Sequence, residues 1–452
     1  GRGMSQWGAY GYAVDEGWSW QQILDHYYGG TALADVNTAQ TRIRVRLLSA
    51  DGMSTVGVMS NSGNVSAAGK SSRSMYAREV APNSFELWGS TSVACPSSAT
   101  LTVPSGNPPI ATGAEGAAVT QIQNFLNAFR VAGDSAIGVD GDFGPQTAGR
   151  LRDWQTDQSL PSDAVWSTDD AARARQLIEG SNGSAHWTKL TATPLSGPIT
   201  FTNPSSANSA GAATSVLGLC SSTGRVTHYR GEIEVHNVAG NANRVVNDVK
   251  TEDYLRGVVS KEISPSWADA GGGAGANAVR AQAVAARSYG LQQNRYAPYA
   301  SICDTQSCQV YAGSATRARA TGVATVVEDA RTDAAIKATA GKVRKWPDGS
   351  IVSTEFSASN GPRTAGGAFP PVDDAGDDTP NNPNHKWTRV IDADSLEARY
   401  GLGQLTAAST VEAASSVNRQ FDGIWFNDVA LTGTSGSRRI EAWDFRGALG
   451  LP

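Results

Sequence analysis

The sequence predicts an α+β protein, in which a strand-rich mixed domain carries an inserted, small three-helix module. Alternating apolar and polar residues, as in 43–47 and 85–88, are typical of half-buried strands. Between 117 and 179 the apolar residues fall instead at helical spacing. The chain has 452 residues, more than one hydrophobic core usually organises, so we expect two or three domains.

The N-terminal part of the strand-rich domain is placed at residues 1–105. It opens with a turn-rich and aromatic-rich segment and a helical pattern near 19–28, and strand patterns fill 41–103. Small residues around Ser5 and Gln6 would let the backbone approach a ligand closely, although a packed glycine-rich turn gives the same pattern.

The helical module is placed at residues 114–180. A tight glycine-rich loop at 138–147 leads into a helix, and a second, weaker copy of this loop–helix unit follows at 160–168. Stretches rich in Pro, Gly, Ser and Thr at 97–116 and 181–184 are typical of linkers.

The rest of the strand-rich domain is placed at residues 184–452. Strand patterns resume after the module, and Cys95 and Cys220 flank it. The module therefore looks like an insertion whose two ends are held together by this cysteine pair. The predicted elements are short strands in 186–246, helices near 252–261, 276–293 and 328–340, strands near 343–347 and 351–356, and a strand-like end at 439–446.

Composition and charge exclude several function classes. The net charge of -5 argues against binding to nucleic acid, which needs a basic patch on the protein. The sequence contains no run of 18 apolar residues, so no membrane-spanning helix is predicted. A charged fraction of only 17% with 12 Trp is common in secreted proteins that meet polysaccharides, although the tryptophans could equally fill a core. Because the chain starts at Gly1 without Met, we expect a processed or truncated product.

The cysteines favour disulfides in an oxidising compartment over a zinc site. Cys303 and Cys308 could close a short loop, and Cys95 could then pair with Cys220. No His lies beside the first pair, and structural zinc usually needs four ligands. We predict no metal and no cofactor.

The most informative stretch runs from residue 252 to 289. The apolar pair Val258 and Val259 leads into Glu262, and an acid at the edge of an apolar segment is how a protein raises the pKa of a Glu for general-acid catalysis. A salt-bridged surface Glu would give the same local pattern. On the first interpretation, Glu262 is the residue on which the function depends.

Polar side chains in other segments are candidates for ligand contacts, although each has a structural alternative. The candidates on an alanine-rich helix could instead pair with Glu252 and Asp253. The others lie on the cysteine-bounded loop and on a Ser-Asn turn, which could be purely structural. The candidates are Arg280, Gln282 and Arg287 on the helix, Asp304, Gln309 and Tyr311 on the loop, and Ser357, Ser359 and Asn360 on the turn.

The sequence lacks the signature motifs of other catalytic classes. The five His residues lie in unrelated contexts, so no Ser/His/Asp triad is suggested, and no phosphate loop, zincin motif or EF-hand loop occurs. No second carboxylate stands at a fixed spacing for a two-acid glycosidase. One acid suffices for a transglycosylase in which the sugar's own hydroxyl attacks.

These segments resemble the SpoIID/LytB family (stage II sporulation protein D, also called amidase enhancer). The resemblance covers 253–291, 303–313 and 356–361, with the core motif at 258–263 and 280–287. It implies a peptidoglycan lytic transglycosylase that cleaves between N-acetylmuramic acid and N-acetylglucosamine, leaves a 1,6-anhydro end and prefers glycan without stem peptides. It implies Glu262 as the catalytic acid and substrate contacts by Ser5, Gln6, Arg280, Gln282, Arg287, Asp304, Gln309, Tyr311, Ser357 and Asn360.

The chain departs from the family pattern in two places. The motif at 3–11 usually ends the catalytic domain after a Gly-His-Gly, whereas here it opens the chain, and 447–451 resembles the segment that normally precedes it. We therefore expect a circularly permuted order. Some family members bind zinc near the cysteine loop, but that loop has no neighbouring His here.

The helical module resembles the peptidoglycan-binding-domain-1 type, because 138–147 matches its loop signature. The resemblance implies peptidoglycan contacts by Asp140, Asp142, Phe143, Gln146 and Thr147. The expected partner is the glycan strand, with a cell wall amidase as a further candidate, and the expected location is extracellular, secreted or associated with a bacterial wall. The implied process is wall remodelling or sporulation. The alternatives are a non-catalytic activator of an N-acetylmuramoyl-L-alanine amidase and a hydrolytic glycosidase.

Overall fold

Helices and strands are interspersed along the chain. The structure is a computed structural model that describes residues 1–96, 101–130, 135–181, 187–238, 240, 242–411 and 428–451. Its helices are α1 Gln6–Val14, α2 Trp20–Tyr27, α3 Ala117–Ala128, α4 Pro145–Asp157, α5 Thr168–Ser181, α6 Pro204–Ala207, α7 Thr251–Glu262, α8 Ala276–Gln292, α9 Ala330–Ala338, α10 Ala393–Tyr400 and α11 Ala442–Leu449. Short 3-10 segments lie at Leu48–Ala50, Pro265–Gly273 and Ala375–Asp377.

The strands group into one large sheet, one smaller sheet and several short pairings. Their bounds are β1 Met4–Ser5, β2 Ala32–Asp35, β3 Arg42–Arg46, β4 Thr55–Met59, β5 Val65–Ala67, β6 Lys70–Ser72, β7 Ser74–Ala81, β8 Ser84–Ser90, β9 Trp187–Lys189, β10 Leu195–Ser196, β11 Ile199–Phe201, β12 Leu217–Cys220, β13 Val226–Tyr229, β14 Glu232–Val238, β15 Ala242–Lys250, β16 Ile302–Cys303, β17 Ala315–Arg317, β18 Ala324–Val326, β19 Lys342–Lys345, β20 Phe356–Ser357, β21 Leu405–Val411, β22 Asp428–Gly433 and β23 Gly436–Glu441.

The chain divides into two units, each built from separated segments. Unit 1 comprises Gly1–Thr41, Val259–Gln293 and Asp329–Pro452, and unit 2 comprises Arg42–Val258 and Asn294–Glu328. Both units contain helices and sheets, which confirms the predicted α+β class.

Unit 2 contains the two larger sheets. A nine-stranded antiparallel sheet has the order β10-β8-β7-β4-β12-β13-β17-β18, with β9 also pairing with β8. A five-stranded sheet has the order β11-β14-β15-β3-β16. In β3, Ile43 and Val45 are buried and the intervening arginines are not, so the predicted alternation is confirmed.

The helical module is inserted into unit 2. Strands that precede it in the chain pair with strands that follow it: β8 pairs with β9 and β10, β4 with β12, and β3 with β15. Cys95 and Cys220, which flank the insertion, form a disulfide with an S–S distance of 2.00 Å.

The module has its own core. Helices α3 to α5 surround Phe125, Trp154 and Trp166, and the last of these is fully buried. Ile110 exchanges backbone hydrogen bonds with Trp166 and packs on this core together with Val103. The predicted linker at 97–116 is therefore wrong over 103–114, because apolar side chains in that stretch complete the module. Positions 97–100 and most of the second predicted linker lie outside the described residues.

The predicted loop–helix repeat is confirmed by matching hydrogen bonds. In each copy the amide nitrogen of a buried glutamine donates to a loop aspartate. The amide oxygen of the same glutamine accepts a hydrogen bond from the backbone N–H of the residue that follows that aspartate. The two sets are Gln123 with Asp140 and Gly141, and Gln155 with Asp163 and Ala164. The equivalent loop residues Gly141 and Ala164 both have positive φ, 81° and 60°.

Unit 1 is arranged around α8, whose residues from Ala281 to Gly290 are all buried. Helices α1, α2 and α9 pack against α8, β1 pairs in parallel with β20, and β2 pairs with β19. The three-stranded sheet β21-β22-β23 has a separate small core with α10. No helix in the described part of the chain is both long and apolar enough to span a bilayer.

Two strand predictions in unit 1 need correction. The strand-like end is a strand only through Glu441 and then becomes α11, which has Asp444 in its first turn and ends at Gly450 in the left-handed region. These signals are those of a helix. The strand predicted at 351–356 is reduced to a bridge at Ile351 and the two residues of β20.

Candidate active site

Two of the predicted segments lie side by side in unit 1. Strand β1 runs parallel to β20, with Met4 opposite Phe356 and Ser5 opposite Ser357. Trp7 N donates to the carbonyl of Ala358 at 3.0 Å, which continues the pairing into α1. The glycine-rich opening motif and the Ser-Asn turn therefore form one structure.

Ser5 begins α1 as its N-cap. Its Oγ accepts a hydrogen bond from Gly8 N at 2.9 Å, which satisfies one of the free backbone donors at the helix start. In the facing turn, Ser357 Oγ donates to Asn360 Oδ1 at 2.8 Å, and Asn360 Nδ2 donates to the carbonyl of Gly3 at 3.0 Å. These predicted ligand side chains hold the two segments together.

A buried aspartate lies behind this junction. The Asp377 carboxylate is inaccessible to solvent and accepts hydrogen bonds from Ser5 Oγ at 2.7 Å, Ser359 Oγ at 2.7 and 2.9 Å, and Asn360 N at 3.2 Å. His385 Nδ1 lies 2.9 Å from Oδ2 of the same carboxylate. A buried charge requires such a set of partners.

Sequence reasoning missed this aspartate and its neighbours. The acidic stretch at 373–378 looks like an exposed charged loop, and its partners lie far away in the sequence. The one usable signal was the pair of glycines in α1. A Cβ at Gly8 would lie 2.0 Å from Tyr27 Oη, and one at Gly11 would lie 2.0 Å from the carbonyl of Gly376, so both glycines admit a close neighbour.

A second buried acid, Asp374, lies beside Asp377. Tyr27 Oη donates to Asp374 Oδ1 at 2.6 Å, and Asp374 Oδ2 has no hydrogen-bond partner among the described residues. The pKa of Asp374 is raised to about 7, mainly by burial and also by the charge of Asp377, while the hydrogen bond from Tyr27 opposes this shift. Asp374 therefore changes its protonation state near neutral pH.

Helix α8 brings one of its three predicted side chains against α1. Gln6 Nε2 donates to Gln282 Oε1 at 3.3 Å, and the fully buried Gln282 Nε2 has no hydrogen-bond partner in the part of the chain that is described. Arg280 is half-buried and donates to Asn277 Oδ1 at 3.1 Å. Arg287 is fully buried.

Arg287 supports α9 and β19. It donates to the carbonyl of Lys342 at 3.0 Å and to that of Ile336, near the C-terminal end of α9, at 3.4 Å. A buried arginine with these partners stabilises the packing of the helix end. Direct contact between Arg287 and glycan stays a prediction without geometric support.

Glu262 is the last residue of α7 and is half-buried. Val258 and Val259 are fully buried, as the apolar pair predicts. The helix end that carries Glu262 exposes backbone carbonyls with partial negative charge, so the helix dipole gives no stabilisation to an anionic side chain there.

The segment after Glu262 packs on α1 through aromatic rings. Trp267 lies 4.4 Å from Trp7 and 4.7 Å from Tyr10, measured between ring centroids. Such contacts between aromatic rings add stability beyond their buried area. The opening motif thus contributes Gln6 against α8 and Trp7 against the continuation of α7.

The cysteine loop lies in unit 2 and its disulfide is formed, with an S–S distance of 2.09 Å. Gln309 Oε1 accepts from Tyr254 Oη at 2.8 Å, and Tyr311 Oη donates to Asn247 Oδ1 at 2.7 Å. Burial raises the pKa of Tyr311 well above its ordinary value. Both side chains are buried: Gln309 holds Tyr254 of α7, and Tyr311 holds Asn247 of β15 with its ring 5.0 Å from that of Tyr254.

The Asp304 side chain also forms a hydrogen bond within unit 2. Its Oδ1 accepts from Leu48 N at 3.0 Å, and burial raises its pKa. Glycan contacts by Asp304, Gln309 and Tyr311 therefore stay predictions that the geometry does not favour.

The predicted residues of the helical module are mainly structural. Phe143 is part of the core, Thr147 is buried, and Asp140 Oδ1 accepts from Gln123 and from Asp142 N. Gln146 Oε1 accepts from Gly138 N at 3.2 Å. These contacts set the loop shape, and peptidoglycan contact by particular side chains stays a prediction.

The described residues contain no group of three or more His, Cys, Asp or Glu side chains arranged to hold a metal. All four cysteines are in disulfides, so none offers a thiolate ligand.

Comparisons with known proteins agree with both resemblances. Residues 239–346 match the family SpoIID, described as "Stage II sporulation protein", and residues 115–169 match the family described as "Putative peptidoglycan binding domain". The first match includes Glu262, α8 and the cysteine loop, but not the opening motif or the Ser-Asn turn.

No curated protein sequence matches the chain. Among solved structures, a periplasmic domain of the EpsAB fusion protein of the Vibrio vulnificus type II secretion system is 13% identical. The alignment covers 32% of this chain and 64% of that one, and its TM-score of 0.15 carries no information about the fold. The chain therefore contains a SpoIID domain and a peptidoglycan-binding domain, and these two matches support a role related to the cell wall.

Proposed function

We propose that the protein is a peptidoglycan lytic transglycosylase with Glu262 as its single acid and base. The observation that carries the proposal is the position of Glu262. It ends α7 behind two buried valines, and the segment that follows it is fixed on α1 by Trp267. The SpoIID match covers this stretch.

The chemistry needs one carboxyl group that acts twice. Protonated Glu262 donates its proton to the glycosidic oxygen as the bond from C1 of N-acetylmuramic acid to N-acetylglucosamine breaks. The resulting carboxylate accepts the proton of the C6 hydroxyl as that oxygen bonds to C1. The product is a 1,6-anhydro end, no water is consumed, and Glu262 returns to its protonated form.

Polar groups of unit 1 are proposed to orient the glycan. Gln6, Gln282 and Arg280 are the best placed, because they lie on α1 and α8 and the Gln282 amide nitrogen has no partner in the described structure. A buried amide that is left unsatisfied costs free energy, and a bound ligand or water would satisfy it. Ser5, Ser357 and Asn360 would act mainly by holding α1 and the turn.

The peptidoglycan-binding domain supports a location at the wall. We propose that the protein acts outside the cytoplasm, as its two disulfides also favour. A second contact with the same polymer raises the local concentration of substrate at the catalytic site.

The decisive experiment replaces Glu262 by Gln and analyses products by mass spectrometry. On denuded glycan, the wild type should release anhydro ends and Glu262→Gln should be at least about 100-fold slower, since general acid–base catalysis contributes that much. Sacculus binding should not change. Glu252→Gln, the same substitution at the other end of α7, should keep full activity.

The rival functions give different products. Reducing ends would indicate a hydrolytic glycosidase. No cleavage of glycan, combined with faster release of stem peptides by an added amidase, would indicate the non-catalytic activator. Full activity in Glu262→Gln would refute the role of this residue.

A further inference from the structure

The geometry points to Asp377 as a positioning residue for the proposed reaction, acting through Ser5 and Ser359 on the placement of α1. This inference rests on the proposed function for its catalytic part only. Asp377 is a fully buried acidic residue that the sequence patterns did not single out, and its partners come from different segments of unit 1.

Hydrogen bonds from several segments converge on the Asp377 carboxyl group. Ser5 comes from the start of α1, Ser359 and Asn360 come from the turn after β20, and His385 comes from a later segment. The backbone carbonyl of Asp377 also accepts from Asn382 Nδ2 at 2.8 Å. Because the acceptor is a carboxyl group buried away from water, these hydrogen bonds are stronger than they would be at the surface.

Helix α1 links the Asp377 carboxyl group to the segments around Glu262. Ser5 receives the Asp377 contact and caps α1 through Gly8 N. The next residues of α1 place Gln6 against Gln282 and Trp7 against Trp267. A shift of the α1 start would therefore move both contacts, and displacements of about 1 Å far from the chemistry can cost about 100-fold in rate.

Asp377 differs in burial from its neighbours Asp373 and Asp378. Asp373 has an 83% exposed side chain that pairs with Arg363 at 3.0 Å. Asp378 is 59% exposed and lies 3.2 Å from His385 Nε2. Asp377 is thus buried where Asp373 and Asp378 are exposed, and its carboxyl group contacts both the start of α1 and the turn.

The test compares Asp377→Asn with Asp373→Asn. Asparagine has nearly the same shape, but its amide group offers a donor where Ser5, Ser359 and Asn360 need an acceptor. We expect kcat on denuded glycan to fall about 10- to 100-fold while KM changes less than about twofold, because the loss concerns the geometry of the reacting groups. Asp373→Asn should retain wild-type kcat and KM.

Hydrogen exchange gives a readout that does not depend on activity. The amides of Trp7, Gly8 and Asn360 bond within the junction, so their exchange should be at least about tenfold faster in Asp377→Asn, whereas amides of α4 should be unaffected. If Asp377→Asn fails to fold, Ser359→Ala removes part of the same set without changing charge and should show the same changes at smaller size.

Each outcome decides the inference. Faster exchange with the kcat loss supports it. Unchanged exchange refutes it, and so does faster exchange with wild-type kcat. If the wild type itself produces no anhydro ends, the proposed function fails, and the exchange result alone decides whether Asp377 holds α1.

Discussion

Asp374 and Asp377 are both buried, but they differ in how their charge is compensated. Asp377 accepts from two serine hydroxyls and a backbone N–H, whereas Asp374 accepts from Tyr27 and its Oδ2 has no partner in the described structure. A carboxylate without enough donors is more stable as the neutral acid. Burial therefore raises the pKa of Asp374 to about 7.

This difference predicts how stability depends on pH. Since the folded-state pKa of Asp374 is raised from 3.8 to about 7, the native protein holds this proton more tightly than the unfolded chain. The stabilisation is fully present below the unfolded pKa and is lost as pH rises from about 4 to about 7, by at most about 4 kcal/mol.

Replacing Asp374 by Asn should remove this dependence. Between pH 5 and pH 8 the unfolding transition of unit 1 should then change less than it does in the wild type, which calorimetry at a series of pH values would measure. An identical pH dependence in both proteins would contradict the assignment. Asp373→Asn serves as the exposed control.

At the scale of elements, the fit of α1 against the segment that carries these acids depends on glycines. A Cβ at Gly8 would lie 2.3 Å from Asp374 Oδ1 as well as 2.0 Å from Tyr27 Oη, and one at Gly376 would lie 2.5 Å from the carbonyl of Gly8. Contacts this short are not possible for real side chains, so the small residues of the motif are required by packing.

Gly8→Ala should therefore destabilise unit 1 by about 2 kcal/mol or more, as overpacking of a tight contact does. Gly149→Ala is the matched control, because it is also helical and no atom lies within 4 Å of its added Cβ. It should stabilise the module by up to about 1 kcal/mol through helix propensity. Differential scanning calorimetry checks both, and equal effects of the two substitutions would contradict the packing argument.

Sequence patterns anticipated the elements better than the contacts between them. Helices α7 and α8 fall where predicted, because their apolar spacing is strong and local. The change from strand to helix at Ala442 was missed, since alternation over a few residues does not distinguish the two. The partnership of Ser5 with Asp377 was also missed, because hydrogen bonds between distant segments leave no periodicity in the sequence.

At the scale of the whole molecule, the peptidoglycan-binding domain is an insertion with its own core. The host sheet joins strands from before and after it, so the host does not depend on the module for its strand pairing. The module in turn buries Phe125, Trp154 and Trp166 among its own residues. Folding of the two parts should therefore be separable by a substitution in the module core.

Trp166→Ala tests the contribution of the module to the whole protein. Trp166 is fully buried against Phe125 and Trp154, and removal of such a ring costs about 3–5 kcal/mol, enough to unfold a module of this size. We expect affinity for intact sacculi to fall at least about tenfold, because the second contact with the polymer is lost. Cleavage of short, soluble, denuded glycan should stay within about twofold of wild type, since unit 1 carries Glu262 and α1.

Co-sedimentation with sacculi and anhydro-product analysis measure the two effects, and near-ultraviolet circular dichroism verifies the loss of module packing. Wild-type sacculus binding by a variant whose module is unfolded would show that the module does not contribute to recognition of the wall.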